Sequence, residues 1–598
     1  MANEIYHKSN WGKPEKDGWG DVYFNPSATN RLYTRSDNYE NEEGTDKALA
    51  SKPDTQSVLM TPTAYNVGSM NSVLPPYEVL PTELVTNGDF ATDSDWVKGS
   101  NWSINNGVGV YTSSGFSNLS QANIDLEVGK KYELTVNLIG PFGNVCRFYF
   151  GPSSSTAYNL VNGLNVITGV AVSNKITFRN LTQSSFTIDN VSVKEVRNAD
   201  FTFDRNSTAT RVNKEGLIET VAIDTPRLDY PLIDGVVQSE PALILEPSKT
   251  NLITYSEEFT QWTSDTNSSI TSNSIISPDG TQNADKLIAG SSVARQAIKL
   301  NLTVNGSVSM SVFAKKGEYD VIQFSDAING SYFVNFNLKT GTIGSFNTMQ
   351  GKIENMGNGW YRCSASYSSS NSIISFRLSI AENSTSARLV NFAGNGTSGL
   401  YIYGAQLEQG SYATSYIPTS GSSVTRAAET ATRAGTSDDF NDSEGVLYAE
   451  ISSLAAGDIY RIITINDGSS RNSVLIGLRG DTGNIFCSLY VNGSESPLFV
   501  STILPLNIST KIALKYKVND FSVTINGFKL YEDTTVSTFP SGTLSNLDLM
   551  RGNVTLPFYG KTKEVSVFKT ALTDSELEAL TSWDSFSDMA TGQLYSIR

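Results

Sequence analysis

From Leu84 onward, apolar and polar residues alternate in short runs, the period of two that a half-buried strand requires. Lys131-Tyr-Glu-Leu-Thr-Val-Asn-Leu places Tyr132, Leu134, Val136 and Leu138 on one face. Val145-Cys-Arg-Phe-Tyr-Phe, Lys175-Ile-Thr-Phe and Phe186-Thr-Ile-Asp-Asn-Val-Ser-Val continue the pattern. Asn and Gly turn residues separate these runs every ~8–12 residues, the spacing of a β-sandwich. Near Asn251 the alternation resumes. Val308-Ser-Met-Ser-Val-Phe, Val321-Ile-Gln-Phe, Tyr332-Phe-Val-Asn-Phe-Asn-Leu and Ile373-Ile-Ser-Phe-Arg-Leu-Ser-Ile are its strands, and Leu400-Tyr-Ile-Tyr-Gly-Ala-Gln-Leu closes the set. A third group comprises Gly445-Val-Leu-Tyr-Ala-Glu-Ile, Lys511-Ile-Ala-Leu-Lys-Tyr, Phe521-Ser-Val-Thr-Ile and the strand from Gly560 to Phe568. Asn526-Gly527 is a hairpin turn of the primed type. Thr573-Asp-Ser-Glu576 is a capping box and predicts one short helix through about Leu580.

The pattern divides the chain. Residues 1–80 follow neither period and carry Trp11, Trp19, Tyr23, Phe24, Tyr33 and Tyr39 among scattered Pro and Gly, which predicts an irregular segment that orders against something else. Residues 84–196 form a first module, 197–250 a connector rich in Arg and Asp, and 251–418 a second module. A Ser/Thr/Gly-rich hinge, 419–437, precedes a third module at 438–598. The first two modules share a layout. Each opens on an aromatic motif, Asn87-Gly-Asp-Phe90 then Trp96, and Ser256-Glu-Glu-Phe259 then Trp262. Each closes on a strand bearing small polar residues, Ile188-Asp-Asn-Val191 and Ile402-Tyr-Gly-Ala-Gln406, and pairing of opening with closing segments is what a jelly roll does. The expected fold class is mainly β: tandem jelly-roll β-sandwiches, a C-terminal sandwich and an irregular N-terminal segment.

Composition narrows the function classes. The chain has 598 residues and a formal net charge of -16, with 17% charged and 10% aromatic residues. That is too few charges for coiled coils, and too many aromatics for a disordered polyelectrolyte. The acidic balance offers no basic stripe for nucleic acid. The single His, His7, lies in the irregular N-terminal segment, which leaves the β-modules without a Ser-His-Asp triad. Cys146, Cys363 and Cys487 lie far apart on strand-like runs, without metal-ligand spacing, and read as buried thiols. Glycosidic cleavage needs two carboxylates about 5–9 Å apart. Adjacent pairs such as Glu257 with Glu258 and Asp438 with Asp439 point to opposite faces of a strand, whereas pairs distant in sequence stay open. No enzyme signature emerges, so no catalytic residue is assigned. No apolar run of about 18 residues predicts a membrane span, and the N-terminus has no signal-peptide pattern, so synthesis in a reducing cytoplasm is expected.

Some stretches resemble known families. Val565-Ser-Val-Phe-Lys-Thr-Ala-Leu-Thr-Asp-Ser-Glu-Leu577, with the Asn526-Gly527 hairpin, resembles a laminin-G or concanavalin-like sandwich. Val85-Thr-Asn-Gly-Asp-Phe, Trp96, Trp102 and Ile188-Asp-Asn-Val-Ser-Val resemble a galactose-binding-type carbohydrate-binding module. A further series runs from about residue 200 to 430. It comprises Arg205-Asn-Ser-Thr-Ala-Thr-Arg-Val, Pro241-Ala-Leu-Ile-Leu-Glu-Pro-Ser-Lys-Thr-Asn-Leu-Ile, Gly359-Trp-Tyr-Arg-Cys and Gly404-Ala-Gln-Leu-Glu-Gln-Gly-Ser-Tyr-Ala-Thr-Ser-Tyr-Ile-Pro-Thr. This series is similar to fibre and tail-associated structural proteins of tailed bacteriophages, and points to the gut-type, crAss-like group. Trp19-Gly-Asp-Val-Tyr-Phe-Asn-Pro resembles the leading segment of fibre-type virion proteins.

The resemblance implies a virion protein assembled in the host cytoplasm, a homotrimer docked on other virion proteins through residues 1–80. Its modules would bind surface or mucosal glycans. The alternative within the same architecture is a tail spike with polysaccharide depolymerase activity, although the chain lacks parallel-helix repeats. Trp96, Trp102 and Asn101, set among Asp93 and Asp95, are the candidate sugar platform, because sugars stack on indoles and bond to amides. The competing reading packs both tryptophans in the core, as it does Trp262 and Trp360. By resemblance, Asp89 and Asp189 are the candidate side-chain ligands of one structural Ca²⁺. Calcium takes six to eight oxygens, and the sequence supplies only these two carboxylates plus backbone carbonyls. No other cofactor is expected.

Overall fold

The computed structural model describes residues 78–582, with breaks at 113–114, 142, 198, 239–240, 266, 305, 327, 329, 370, 455–459, 481, 504–508 and 554, and segments 4–5, 56–60, 65–66, 69–70 and 596–597. His7, Trp11, Trp19 and the N-terminal tyrosines, with most of the proposed docking segment, lie outside the described residues. The chain forms two units, Val73–Ala199 and Met1–Ser72 with Asp200–Arg598.

Alternation builds the first unit. Strands Gly163–Val170, Lys131–Ile139, Phe186–Arg197, Val108–Tyr111 and Trp102–Asn105 form one antiparallel sheet. Tyr158–Leu160, Cys146–Tyr149, Lys175–Asn180, Asn118–Ala122 and Val97–Lys98 form the facing one. Tyr132, Leu134, Val136 and Leu138 are fully buried, the face their spacing predicts. They pack with Phe148, Phe178 and Ile188 into one core.

The second jelly roll repeats the plan. One six-stranded sheet runs Thr263–Ser264, Ala297–Thr303, Ile373–Ala381, Val321–Asp326, Phe333–Asn337, Thr342–Asn347. Its partner runs Ser269–Ile275, Ala284–Ile288, Gly399–Gln409, Gly306–Lys315, Trp360–Ser369, Gln350–Asn355. Opening and closing segments pair in both copies: the Val191 amide donates to the Gly88 carbonyl at 2.9 Å, and the Ala405 amide to the Ser256 carbonyl at 2.8 Å. In both, the Trp of the opening motif packs on its Phe, with centroids 5.2 Å apart for Phe90–Trp96 and 5.3 Å for Phe259–Trp262.

The C-terminal sandwich joins strands Glu444–Ser453, Thr510–Lys517, Phe521–Ile525, Phe528–Asp533 and Gly560–Phe568 against a sheet of Ser494–Ile503, Asn484–Val491, Ser473–Leu478, Arg461–Asn466 and Asn546–Asp548. Asn526 and Gly527 adopt φ of 48° and 85°, the left-handed pair a primed turn needs. Helix Asp574–Thr581 starts at the capping box: the Thr573 amide donates to Glu576 Oε2 at 2.7 Å, and the Glu576 amide to Thr573 Oγ1 at 3.4 Å.

The segments read as connector and hinge are not linkers. Arg227–Asp229 and Ala242–Leu245 extend the larger sheet of the C-terminal sandwich, and Gln56–Met60 pairs with its strand Gly560–Phe568. Val424–Arg426 pairs with Lys249–Asn251, and Thr430–Thr432 with Phe201–Asp204. These strands are three to five residues long, too short to show a period. All three cysteines are free and buried, as their strand setting predicts. Trp262 and Trp360 are buried too. Among the described residues, no helix is long and apolar enough to cross a membrane.

Candidate functional site

The predicted sugar platform is core. Trp96 and Trp102 are each 6% exposed, so neither indole offers a face to a ligand. Trp96 lies against Phe90 and Phe178 and donates Nε1–H to the Asn87 carbonyl at 3.0 Å. Trp262 makes the equivalent bond to the Tyr255 carbonyl at 3.2 Å, so this indole is a fold element of both modules. Trp102 packs on Tyr111 and Phe186 at 5.5 Å. Asn101 is a turn residue at φ 72°, its carbonyl accepting from the Thr112 amide. Of the polar neighbours that suggested a platform, Asp95 also sits at positive φ and Asp93 pairs with Lys98.

The predicted calcium ligands gather no further carboxylate. Asp89 Oδ1 accepts from the Ala91 amide, and Asp189 accepts from the Asn190 amide and Nδ2. Among the described residues, no group of three or more His, Cys, Asp or Glu is arranged to hold a metal ion.

Arg205, Glu246, Glu408 and Ser415 converge with Arg227, Arg426 and Glu429 elsewhere, in a buried lock. Arg205 Nη1 and Arg227 Nε donate to Glu429 Oε1 at 2.9 and 2.8 Å. Arg227 Nη2 also reaches Glu246 Oε2 at 2.9 Å, and Arg426 Nη1 reaches the same oxygen at 2.7 Å. Ser415 donates amide and hydroxyl to Glu246, at 2.9 and 2.5 Å. Beside it, Glu408 accepts from the Thr414 amide at 2.8 Å and from Gln406 Nε2 at 2.7 Å. These three arginines and three glutamates are all buried. Burial alone would push the Glu246 carboxyl up, but Arg426 and Arg227 outweigh it and hold the group well below its usual range. Burial raises Glu408, against the Thr414 bonds. The carboxylates and most of the guanidinium donors are spent on other protein groups, the buried Arg426 Nε being left without a hydrogen-bond partner. It ties the connector, the tail of the jelly roll and the hinge to the strand that enters the C-terminal sandwich.

Sequence spacing could not reveal a carboxylate pair distant along the chain, and the fold makes one. Tyr403 Oη donates to either Glu257 Oε1 at 3.2 Å or Asp279 Oδ2 at 3.0 Å. Tyr416 Oη adds a bond to Glu257 Oε1 at 2.8 Å. Burial, with repulsion from Asp279 and Glu258, raises the Glu257 carboxyl above its ordinary value. Asp279 is lowered: its bonds to Ser277, Thr281 and Asn283 outweigh burial. Both tyrosines are buried, and the pair cements the opening segment to the closing strand.

Another surface was invisible to spacing because its residues come from four strands and three loops. On the outer face of the sheet containing Ile373–Ala381, Arg377 stands opposite Lys299 and Ser325, and Ser379 opposite Gln323. Asp265 gathers the cations: Lys299 Nζ at 2.9 Å, Arg377 Nε at 2.9 Å and Arg295 Nη1 at 3.9 Å. Gln323 and Asn335 hold the 384–389 segment over one end of the face, Gln323 accepting from the Leu389 amide at 2.8 Å and Asn335 donating to the Ser386 carbonyl at 2.7 Å. Leu389 thereby sits at φ 54°, a conformation a branched side chain rarely takes. Arg388, beside it, donates to the Asp326 carbonyl at 2.7 Å. Its pKa is lowered by burial, then by the nearby Arg377 and Arg295. Asp265 is lowered: burial works against it, but Lys299, Arg377 and Arg295 prevail.

No family model and no curated protein matches the chain. Among solved structures it is similar to the CBM40 module of the Ruminococcus gnavus IT-sialidase bound to α2,3-sialyllactose, at 17% identity over 24% of this chain and 84% of that one, TM-score 0.21. It is similar to domain 4 of AbnA, a GH43 extracellular arabinanase from Geobacillus stearothermophilus in complex with arabinotriose, at 16% identity over 29% and 83%, TM-score 0.22. Trypanosoma rangeli sialidase matches at 10% identity over 91% and 98%, TM-score 0.22. None of these likenesses reaches the level of a shared overall fold.

Proposed function

We propose that this chain is a structural, adhesive fibre protein of a tailed-phage virion, assembled in the host cytoplasm. It docks as a homotrimer on other virion proteins through residues 1–80 and carries β-modules that meet surface or mucosal glycans. The observation that carries this reading is the lock. The motifs similar to phage fibre proteins supply its Arg205, Glu246 and Glu408 and the Thr414 and Ser415 hydroxyls, which pair with Arg227, Arg426 and Glu429 from outside those motifs, and the bonds they make are within the protein. Modules joined by exposed linkers move relative to one another by default, whereas buried charges that satisfy only each other remove that freedom. A fibre needs such stiffness, and trimerisation would multiply weak sugar contacts through effective concentration. Light scattering of the full chain tests the assembly, with a trimer mass expected. A monomer, together with absence of the chain from purified particles, overturns the reading.

The same reading makes the chain non-enzymatic. Glu257 and Asp279 are near enough to share a hydroxyl, but their oxygens already serve Tyr403, Tyr416, Asn283 and Thr281. Incubation with capsular polysaccharide is expected to release no reducing ends. Release would favour the depolymerase tail spike.

A further inference from the structure

The adhesive reading leaves open which module binds and what it binds. In a chain of formal net charge -16, four cations meet on one sheet face of the second jelly roll. Arg295, Lys299 and Arg377 surround Asp265, and Arg388 lies close enough to Arg295 and Arg377 to be disfavoured by their charge. Among the described residues, the carboxylates seen against them are Asp265 and, behind Arg388, Asp326. Positive charge is therefore in excess here, against the sign of the whole molecule. The cations are also graded by depth: the Arg295 side chain is 47% exposed, Lys299 28% and Arg377 8%. Such a gradient lets an incoming anion meet the outer guanidinium first, with the inner pair already oriented by Asp265.

A second observation comes from the floor of this face. Ser325 and Ser379, 0% and 3% exposed, have hydroxyls with no hydrogen-bond partner. They project from the face that carries Arg377, since Ser325 stands opposite Arg377 and Ser379 lies two residues along the same strand. Buried polar groups are ordinarily satisfied, and an exception calls for a cause. Cations beside unsatisfied hydroxyls suit a ligand that carries both negative charge and hydroxyl groups. A nucleic acid would need a longer basic track than four side chains provide.

We infer that this face, bounded by Arg295, Lys299, Arg377 and Arg388 and floored by Ser325 and Ser379, binds an anionic sugar of a surface glycan, the carboxylate or sulfate pairing with the arginines. The inference rests on the adhesive reading and moves the binding site from the first module, where Trp96 and Trp102 are core, to the second. Arginine suits this task because its planar fork meets a carboxylate or sulfate with two parallel bonds.

The test is calorimetric titration of the full chain with three hexasaccharides: one containing glucuronate, the same compound with its carboxyls reduced to alcohols, and an O-sulfated neutral analogue. The glucuronate compound is expected to bind, at least tenfold more tightly than its reduced form, and to weaken as salt rises. The sulfated arm shows whether charge alone suffices or the planar carboxylate is required. Arg295→Ala, at a half-exposed position, is expected to weaken binding at least fivefold with an unchanged melting temperature, and Lys299→Gln to weaken binding to a similar extent. Equal binding of charged and reduced sugars overturns the anionic assignment while leaving the adhesive reading standing. Selective binding of the anionic sugars that neither substitution weakens overturns the location. Absence of binding by all three overturns this assignment, and failure of a wider panel of neutral and charged glycans sinks the adhesive reading with it.

Discussion

At the scale of single residues, the two tryptophans of the first module show how local sequence misleads. Trp96 and Trp102 stand among Asp93, Asp95 and Asn101, which looks like a sugar-stacking surface, yet Asp95 and Asn101 are there because they tolerate positive φ. Composition cannot separate a polar residue that bonds a ligand from one that turns the chain. The indoles differ in one testable respect: Trp96 donates Nε1–H to Asn87, whereas Trp102 Nε1 is buried without a partner. Trp102→Phe removes an unsatisfied donor and is expected to cost less than about 1 kcal/mol. Trp96→Phe removes a bond to the Asn87 carbonyl, which keeps the Phe90 amide as a donor, and is expected to cost about 0.5–1.5 kcal/mol more than Trp102→Phe. Urea unfolding of the two variants, followed by tyrosine and residual tryptophan fluorescence, decides the order. Equal costs would show that indole size, not its N–H, is what the core selects. Either full truncation, to Ala, is expected to cost about 3–5 kcal/mol.

At the scale of elements, legibility tracks length. Among strands of eight to ten residues, Lys131–Ile139 displays its period plainly and buries the face it predicts, whereas Gly560–Phe568, paired on both sides within its sheet, buries both faces from Glu564 onward. Local chemistry was equally readable where a motif has a steric cause, as at Asn526-Gly527 and the Thr573 capping box. Three- and four-residue strands read as linker for two reasons: Phe201–Asp204 finds its partner Thr430–Thr432 far along the chain, and Arg227–Asp229, though paired with nearby Ala242–Leu245, is too short to show a period. The C-terminal helix gives an element-level prediction. Its Leu577 and Leu580 pack on Val446, Tyr448 and Phe568, so the cap fixes where a core-bearing turn begins. Thr573→Ala removes the side-chain acceptor for the Glu576 amide and is expected to cost about 0.5–2 kcal/mol. Thr573→Ser restores the acceptor and should recover most of that, as thermal melts of both variants would show. A Ser variant as unstable as Ala would mean that the methyl group, not the hydroxyl, does the capping.

At the scale of the whole molecule, the lock is expected to contribute to how the larger unit responds to acid. Arg205 and Glu246 stand in motifs the sequence singles out, Arg227, Arg426 and Glu429 do not, and Arg205, Glu246 and Glu429 meet only once the chain has folded. Removing one partner of a buried pair leaves a desolvated charge, so Glu429→Gln is expected to destabilise by about 3–5 kcal/mol at neutral pH. The pH dependence follows from Glu246, whose folded pKa lies below its ordinary value of 4.5 because Arg426 and Arg227 overcome burial. A depressed carboxylate contributes stability that is complete above its unfolded value and is lost as pH falls through its folded value. Glu408 works in the opposite sense: burial raises its folded value, so its contribution falls as pH rises through that value. The Glu246 contribution should therefore decline only below about pH 4.5. Comparing wild type with Glu246→Gln isolates it: the variant should be several kcal/mol weaker at pH 7, and the gap should narrow steadily toward pH 3. Urea midpoints measured at half-unit steps give that gap directly. A gap that stays constant with pH would mean the arginines hold Glu246 through hydrogen bonds that its neutral form, or glutamine, makes equally well. The lock would then be a matter of shape rather than charge.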